Sequence, residues 1–354
     1  MRTTPVCDPL LRCDHSADRI QRYYYGVAAY CPQIGRATAR NNLSAGRGFT
    51  LIEMMISLTI GLVIVGALVS VLISNSQNAK TNDRTAELQS NGRYAMDHLK
   101  RELRHAGFRG YTREEPTPPT TAITITNECL DGGADDSFVV NIRQGVWGAD
   151  DSDPYGANCL PAGNRVRGDV LVIRRVASQP TATPVANTLY LRSTYAAGQV
   201  FQGGAPATPP AMAGTPINNF ALQVYVYYIG RDDNDTAVSA LRRITLKANG
   251  RMEDEMVVSG IEHMQVQYGI VDTIPNTRYF NANNIAGNPT STNLAQTTWD
   301  GVNSVRIWLL ARNSKKETGY TNTTNYPMGN ITTFPLANDN YRRQLFTSVV
   351  QLRN

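Results

Sequence analysis

Charge is absent from one long stretch of this 354-residue chain. No Asp, Glu, Lys or Arg occurs in residues 54–79, and within residues 54–73 only Ser57, Thr59 and Ser70 are polar. The lack of a polar face argues against the core helix of a soluble domain, which is usually amphipathic. At about 1.5 Å per residue, the stretch can cross a bilayer core of about 30 Å, so the pattern predicts a membrane-inserted helix.

Proline is also absent, from Phe49 to Arg113, which removes the residue that most often breaks a helix. Gly107 and Gly110 then supply a stop signal. Before that stop, apolar residues recur at three-to-four spacing and predict one apolar helix face: Leu88, Gly92, Ala95, Met96, Leu99, Leu103 and Ala106. The sequence predicts a single helix over residues 49–106, roughly 85 Å long.

Cysteine is scarce and unevenly distributed. Three of the five cysteines, Cys7, Cys13 and Cys31, lie in the first 48 residues, and with His15 they match no paired zinc-ligand spacing. The same 48 residues hold seven Arg and three Asp but no Lys or Glu, so they supply most of the formal charge of +5. The overall composition excludes a collagen, a small disulfide scaffold and a disordered chain.

Motifs of catalysis and cofactor binding are missing as well. The sequence has no Gly-rich phosphate loop, no G-x-S-x-G elbow and no H-E-x-x-H helix, so we predict neither an enzyme nor a cofactor. Asp232, Asp233, Asn234 and Asp235 offer oxygen ligands for calcium but lack the full EF-hand spacing and its terminal Glu. We favour a solvated turn there and predict no metal site.

Beyond Tyr111 the sequence changes to short strand-like runs. Pro116, Pro118 and Pro119 mark a linker, and loops rich in Gly, Pro, Asn and Thr separate the runs that follow. The runs are residues 138–142, 169–176, 189–192, 220–229, 241–246, 256–270, 305–311 and 345–352. A long helix followed by a β-rich head predicts an α+β fold.

The strongest signal lies at residues 46–53, Gly-Arg-Gly-Phe-Thr-Leu-Ile-Glu. A basic leader precedes a Gly, an aromatic residue follows it, Glu53 comes four residues later, and the apolar helix continues. This order resembles the processing site of type IV prepilins and type II secretion pseudopilins. The resemblance implies cleavage after Gly48 by a prepilin peptidase at the cytoplasmic membrane face, and N-methylation of Phe49.

Glu53 is the one charge near the start of the apolar helix, where a carboxylate needs a partner or a function. Cleavage would create a positive amine at Phe49. In a helical stack of subunits, Glu53 of one copy can contact the amine of a neighbour. This pairing would stabilise the register between subunits that brings the two charges together, because an unpaired buried carboxylate is destabilising. The alternative is a hydrated Glu53 that merely sits at the interface.

Four further stretches resemble the PilW family of minor pilins: residues 87–108, 259–269, 304–310 and 341–352. With the N-terminal site, the likeness covers most of the chain from Gly46 onwards. It implies a type IV pilin-like fold, with a long N-terminal helix packed on a β-rich globular head. It also implies a low-abundance subunit, anchored in the bacterial inner membrane, that primes pilus assembly with other minor pilins and sits near the tip.

The resemblance divides the chain into three parts: a leader at residues 1–48, a helix at 49–107 with its transmembrane half at 49–73, and a head at 108–354. The leader is long for this family, and a start at Val27 or Leu43 would give it ordinary length. Arginines before the apolar run favour a cytoplasmic N-terminus and a periplasmic head by the positive-inside tendency.

Only Cys129 and Cys159 remain after cleavage. The periplasm allows disulfides to form, so we expect these two to be bonded. A bridge would stabilise the head by about 3–4 kcal/mol in the loop-entropy account. Two separate buried thiols are the alternative.

The implied partners are a prepilin peptidase, the major pilin, other minor pilins and, before assembly, the lipid of the inner membrane. A tip adhesin is a further candidate. Residues 80–113 carry eight positive and four negative charges, but a solvated helix face is favoured over a nucleic-acid site. Two alternative functions remain: a type II secretion pseudopilin, and a tip-located module for adhesion or DNA binding.

Overall fold

A computed structural model of the protein describes residues 48–129, 138–155, 159–204, 209–271, 276–286, 298–332, 334 and 339–353. The chain divides into two compact units, Met1–Val65 and Gly66–Asn354. The predicted leader lies outside the described residues except for Gly48, as do Cys7, Cys13, His15 and Cys31.

A single long helix, α1, runs from Leu51 to Arg104. It begins two residues later than predicted and ends two residues earlier. Its last turn tightens, because the N–H groups of His105 and Ala106 donate to carbonyls only three residues back. Gly107 then adopts φ 76°, a left-handed conformation that costs glycine little, and its N–H donates to the carbonyl of Arg174 at 2.9 Å.

Every residue from Gly48 to Lys80 is exposed in the structure. This part of α1 contains a window long and apolar enough to cross a membrane, and none of that window is buried. The predicted apolar segment therefore exists as helix, and the described protein provides no cover for it.

Eleven strands within the described residues form two antiparallel sheets. The first sheet has seven strands in the order β1-β2-β5-β3-β4, with β6 between β5 and β7. The second has the order β11-β10-β8-β9. The strands are β1 Val146–Ala149, β2 Arg165–Val176, β3 Leu189–Ser193, β4 Gly198–Gln202, β5 Asn218–Arg231, β6 Ser239–Leu246, β7 Met252–Ser259, β8 Ile261–Val271, β9 Thr277–Phe280, β10 Val302–Arg312 and β11 Arg343–Gln351.

Two of the predicted strands are wrong. Residues 138–142 form turns rather than a strand, although Val139 and Ile142 are buried. The run at residues 256–270 is not one strand: Gly260, at φ 80°, ends β7 and lets β8 begin in the other sheet. Strands β1, β4 and β9 were not predicted, because each has only four or five residues and β1 and β4 contain glycine.

The C-terminal half of α1 packs on the head through the predicted apolar stripe. Leu88, Gly92, Ala95, Met96, Leu99 and Leu103 are its buried residues. Gly92 faces the ring of Phe346 on β11 so closely that a side chain there would meet it. The stripe, both sheets and the turns after α1 share one core.

Candidate functional site

The candidate processing and assembly site is the start of α1, where Thr50 and Glu53 form a reciprocal cap. Glu53 Oε2 accepts hydrogen bonds from the backbone N–H and the hydroxyl of Thr50, both at 3.0 Å. The backbone N–H of Glu53 donates in return to Thr50 Oγ1 at 3.3 Å. This is a capping box, which satisfies N–H groups that a helix start leaves without partners. The Thr-x-x-Glu spacing carries that signal in the sequence, and we did not predict it.

The cap uses only part of the Glu53 carboxylate. Among the described residues, the second oxygen, Oε1, accepts no hydrogen bond, and the residue is exposed. Glu53 therefore fixes the first turn of its own helix, and its second oxygen is exposed and accepts no hydrogen bond from the described residues.

The proposed cleavage bond lies just before this cap. Gly48 and Phe49 are outside the helix, and the Phe49 ring is 81% exposed. A side chain at Gly48 would meet nothing within 4 Å. The Gly48–Phe49 peptide bond is thus open to an enzyme.

The amphipathic half of α1 also makes polar contacts with the head. Glu102 accepts from both Nε and Nη2 of Arg175 on β2, at 3.0 and 2.8 Å, and both side chains are mostly buried. His98 Nε2 lies 3.0 Å from the hydroxyl of Tyr227 on β5. Burial, together with the charge of Arg243, lowers the pKa of His98 below its usual value. These contacts fix the rotation of the helix on the sheet.

The loop between β10 and β11 is tied to the same helix. The hydroxyl of Thr81 donates to Glu317 Oε1 at 3.3 Å, and Arg84 donates to the carbonyl of Lys316 at 3.2 Å. Arg342 donates to Glu317 at 2.9 Å and lowers the pKa of that carboxyl. Two hydrogen bonds therefore hold the loop against α1, and the Arg342–Glu317 ion pair fixes the position of Glu317 within the loop.

A second ion-pair cluster lies at the start of β11. Arg343, almost fully buried, donates to both oxygens of Glu262 on β8 and to both oxygens of Asp339. Arg312 on β10 adds a contact with Glu262 at 3.4 Å. Arg343 is consequently unavailable to a nucleic-acid backbone, and its role in the C-terminal motif is to join strands.

Two family profiles match the chain. The profile PilW, described as Type IV Pilus-assembly protein W, matches residues 226–354. The profile of the prokaryotic N-terminal methylation motif matches residues 43–69, which contain the capped helix start. Together the two matches support a PilW-family type IV pilin, a type IV pilin-like minor pilin of pilus assembly. The long apolar start of α1 fits a membrane-anchored pilin.

Other comparisons add little to this assignment. A type IV-like pilin, TTHA1219 from Thermus thermophilus, aligns with 77% of this chain and 96% of its own length, at 14% identity and a TM-score of 0.31. A score this low does not by itself establish a shared fold. The search of curated proteins gave no significant match.

The head contains the expected disulfide, between Cys129 and Cys159. Its Cα atoms are 4.5 Å apart, and Cys129 is fully buried. The bridge joins the segment after α1 to the segment before β2.

The acidic run at residues 232–235 forms a turn between β5 and β6. Asp232 Oδ1 accepts from the backbone N–H groups of Asn234 and Asp235, and Asp233 pairs with Arg242. Within the described ranges, no group of three or more His, Cys, Asp or Glu side chains could hold a metal ion.

One buried carboxyl escaped the sequence prediction. Asp169 on β2 accepts from the backbone N–H of Val266 at 2.7 Å and from the side chain of Gln265 at 3.1 Å, and it thereby joins the two sheets. Burial, followed by the charge of Asp150, raises the pKa of Asp169 well above its usual value. Its partners lie almost a hundred residues away in sequence, so no local pattern indicates it.

Proposed function

We propose that this PilW-family minor pilin primes the type IV pilus filament and lies in the tip complex. A prepilin peptidase first cleaves the chain after Gly48 and N-methylates Phe49. The observation that carries the proposal is the open Gly48–Phe49 bond, directly before a capped helix whose apolar first part is wholly exposed.

Before assembly, the apolar part of α1 spans the inner membrane once. The N-terminus is cytoplasmic and the head periplasmic, which the arginines before the apolar run and the Cys129–Cys159 bridge support. The partners are the peptidase, the other minor pilins, the major pilin and lipid, with a tip adhesin as a further candidate.

During assembly the same apolar surface moves from lipid to neighbouring helices. Lipid tails are as apolar as those helices, so packing and polar contacts must drive the association. The free oxygen of Glu53 meets the Phe49 amine of an adjacent subunit. The contact supplies a charge partner that the bilayer lacks and sets the register between subunits.

Processing can be tested in a deletion strain complemented with Gly48→Val. We expect immunoblots to show an uncleaved chain that is longer by its leader, and surface pili to be lost. Ser57→Ala, a change inside the helix and away from the site, is the matched control and should be processed normally. Normal cleavage of Gly48→Val would refute the assigned site.

A tip-located DNA-binding module is a second candidate, favoured by one observation. Arg93, Arg101 and Arg104 are exposed on α1 and have no ion-pair partner among the described residues. Duplex DNA bound by the full-length protein in detergent should dissociate as salt rises, with a slope that falls by about one for each Arg→Gln change. Affinity that does not depend on salt would exclude this role.

A further inference from the structure

A cleft opens in the head where α1 ends. Its volume is about 790 Å³, within the range of ligand-binding clefts. Its walls are the turn at residues 107–113, the beginning of β1, the one-turn 3-10 helix Trp299–Gly301 and the two residues that follow β11. It is an open cleft rather than an enclosed cavity. None of the residues that line the cleft belongs to the processing site or to the apolar stripe of α1.

Positive charge in this cleft exceeds negative charge. Arg109, Arg113, Arg143 and Arg353 line it, with the acids Glu115 and Asp300. Arg143 alone contacts both acids, Asp300 at 2.8 Å and Glu115 at 3.3 Å. The other three arginines have no ion-pair partner among the described residues.

Arg109 is held in place without a direct ion pair among the described residues. Its Nη2 donates to the carbonyl of Arg143 at 2.7 Å, while its Nε is buried and lacks an acceptor in the described part of the chain. Burial lowers the pKa of Arg109, although the charges of Asp300 and Glu115 oppose this shift.

Trp299, on another wall of the cleft, also has a buried hydrogen-bond donor without an acceptor among the described residues. Its ring packs against Trp147 and Tyr268, but its indole N–H is buried and has no acceptor among the described residues. Buried donors nearly always have partners, and one without a partner destabilises the fold. Both donor atoms lie beneath the surface of the cleft, so the case for an anionic ligand rests on the arginines that line it.

We infer that this cleft binds a carboxylate-bearing peptide segment of another pilus subunit. A carboxylate matches the planar fork of a guanidinium and accepts two parallel hydrogen bonds from it. The open cleft admits a chain crossing the surface, and the partly buried Phe108 and Tyr111 line it beside the charges. The identity of the partner rests on the proposed function, whereas the chemistry of the cleft does not.

The test is fluorescence anisotropy with the full-length protein in neutral detergent. The probe is a labelled hexapeptide of alternating Glu and Leu with both ends blocked, and the same peptide with Gln for Glu is its control. We expect salt-sensitive binding of the Glu peptide and at least about tenfold weaker binding of the Gln peptide.

Three variants then locate the site. Arg109→Gln should raise Kd about tenfold, and Arg353→Gln should raise it severalfold without touching the core. Asp300→Asn should lower Kd, because it releases Arg143 for the ligand. The matched control is Arg251→Gln, an exposed arginine at the β6–β7 turn, which should change Kd by less than about twofold.

Other results would overturn the inference. Equal losses in Arg109→Gln and Arg251→Gln would indicate general charge attraction, and equal binding of the Glu and Gln peptides would exclude carboxylate recognition. Displacement of the peptide by succinate at matching concentration would assign the cleft to a small free acid. If Arg109→Gln unfolds, Arg353→Gln and Asp300→Asn decide the matter. Processing and piliation of the Gly48 variant are measured separately, so either proposal can fail alone.

Discussion

The two halves of α1 have the same backbone and opposite surroundings. From Leu51 to Lys80 every side chain is exposed, although the first part is almost entirely apolar. From Leu88 to Leu103 the apolar residues form a narrow buried stripe on the head. An amphipathic face is satisfied within its own chain, whereas a helix that is apolar all round requires lipid or other subunits. The second half therefore attaches the head, and the first half remains free to contact lipid or other subunits.

The largest effect is expected from deleting one side chain of the buried stripe. Leu99→Ala should lower the free energy of unfolding of the head by about 2–5 kcal/mol, because Leu99 is fully buried. Leu62→Ala, at a residue that is 71% exposed, should change it by less than about 0.5 kcal/mol. Denaturant unfolding in detergent, followed by tryptophan fluorescence, measures both. Equal losses would contradict the division of the helix.

The ion pair between α1 and β2 should have the next largest effect. Glu102→Gln leaves Arg175 mostly buried without its carboxylate and should cost about 1–3 kcal/mol. Asp97→Asn breaks an exposed pair with Lys100 and should cost less than about 0.5 kcal/mol. A double-mutant cycle with Arg175→Gln isolates the coupling, and a coupling near zero would mean that the pair does not hold the helix.

Glycine-to-alanine substitutions should destabilise the head when they lie in the second half of α1 but not when they lie in the first half. Gly92→Ala forces the Phe346 ring to move and should destabilise the head by about 1–2 kcal/mol. Gly61→Ala meets nothing within 4 Å and should leave the head unchanged, while helix propensity at that residue improves. The thermal unfolding of the two variants provides the comparison. A stabilised Gly92→Ala would show that α1 is not in close contact with β11.

The smallest effect concerns pH at the same interface. Burial, and then Arg243, lower the pKa of His98 in the folded state, whereas Glu102 and Glu255 oppose them. The unfolded chain therefore takes up a proton first, so stability from this residue is present above about pH 6.5 and is lost as pH falls below it. His98→Gln should flatten the stability profile between pH 7 and 5. An unchanged slope would exclude His98 as its source.

The sequence predicts local structure well where the apolar residues follow the spacing of a helix or of a strand. The stripe of α1, its glycine stop and the longer strands of the head follow from spacing alone. The capping box was equally visible, because Thr50 and Glu53 have the required spacing. The break at Gly260 was not, because a residue in the left-handed region inside an apolar run leaves the run's pattern intact.

Contacts between distant residues could not be predicted from periodicity. Arg343 meets Glu262 across 81 residues, and Arg143 meets Asp300 across 157. Such pairs depend on which strands become neighbours, and strand order is not encoded in any local pattern. For the same reason, the cationic cleft appears only when the turn after α1, the Trp299 segment and the chain's last strand are brought together.

Glu53 caps its own helix and, in the proposed assembly, pairs with the charge of a neighbouring subunit, and these two roles can be separated. Glu53→Gln keeps an acceptor for the capping box but removes the charge, whereas Thr50→Ala removes the cap partner and keeps the charge. The decisive measurement is the number of surface pili in a deletion strain complemented with each variant, with cleavage checked by immunoblot. We predict severe loss of pili with Glu53→Gln and near-normal numbers with Thr50→Ala. Normal piliation with Glu53→Gln would contradict charge pairing. Loss of pili with Thr50→Ala but not with Glu53→Gln would contradict it as well, and would leave Glu53 as a helix cap.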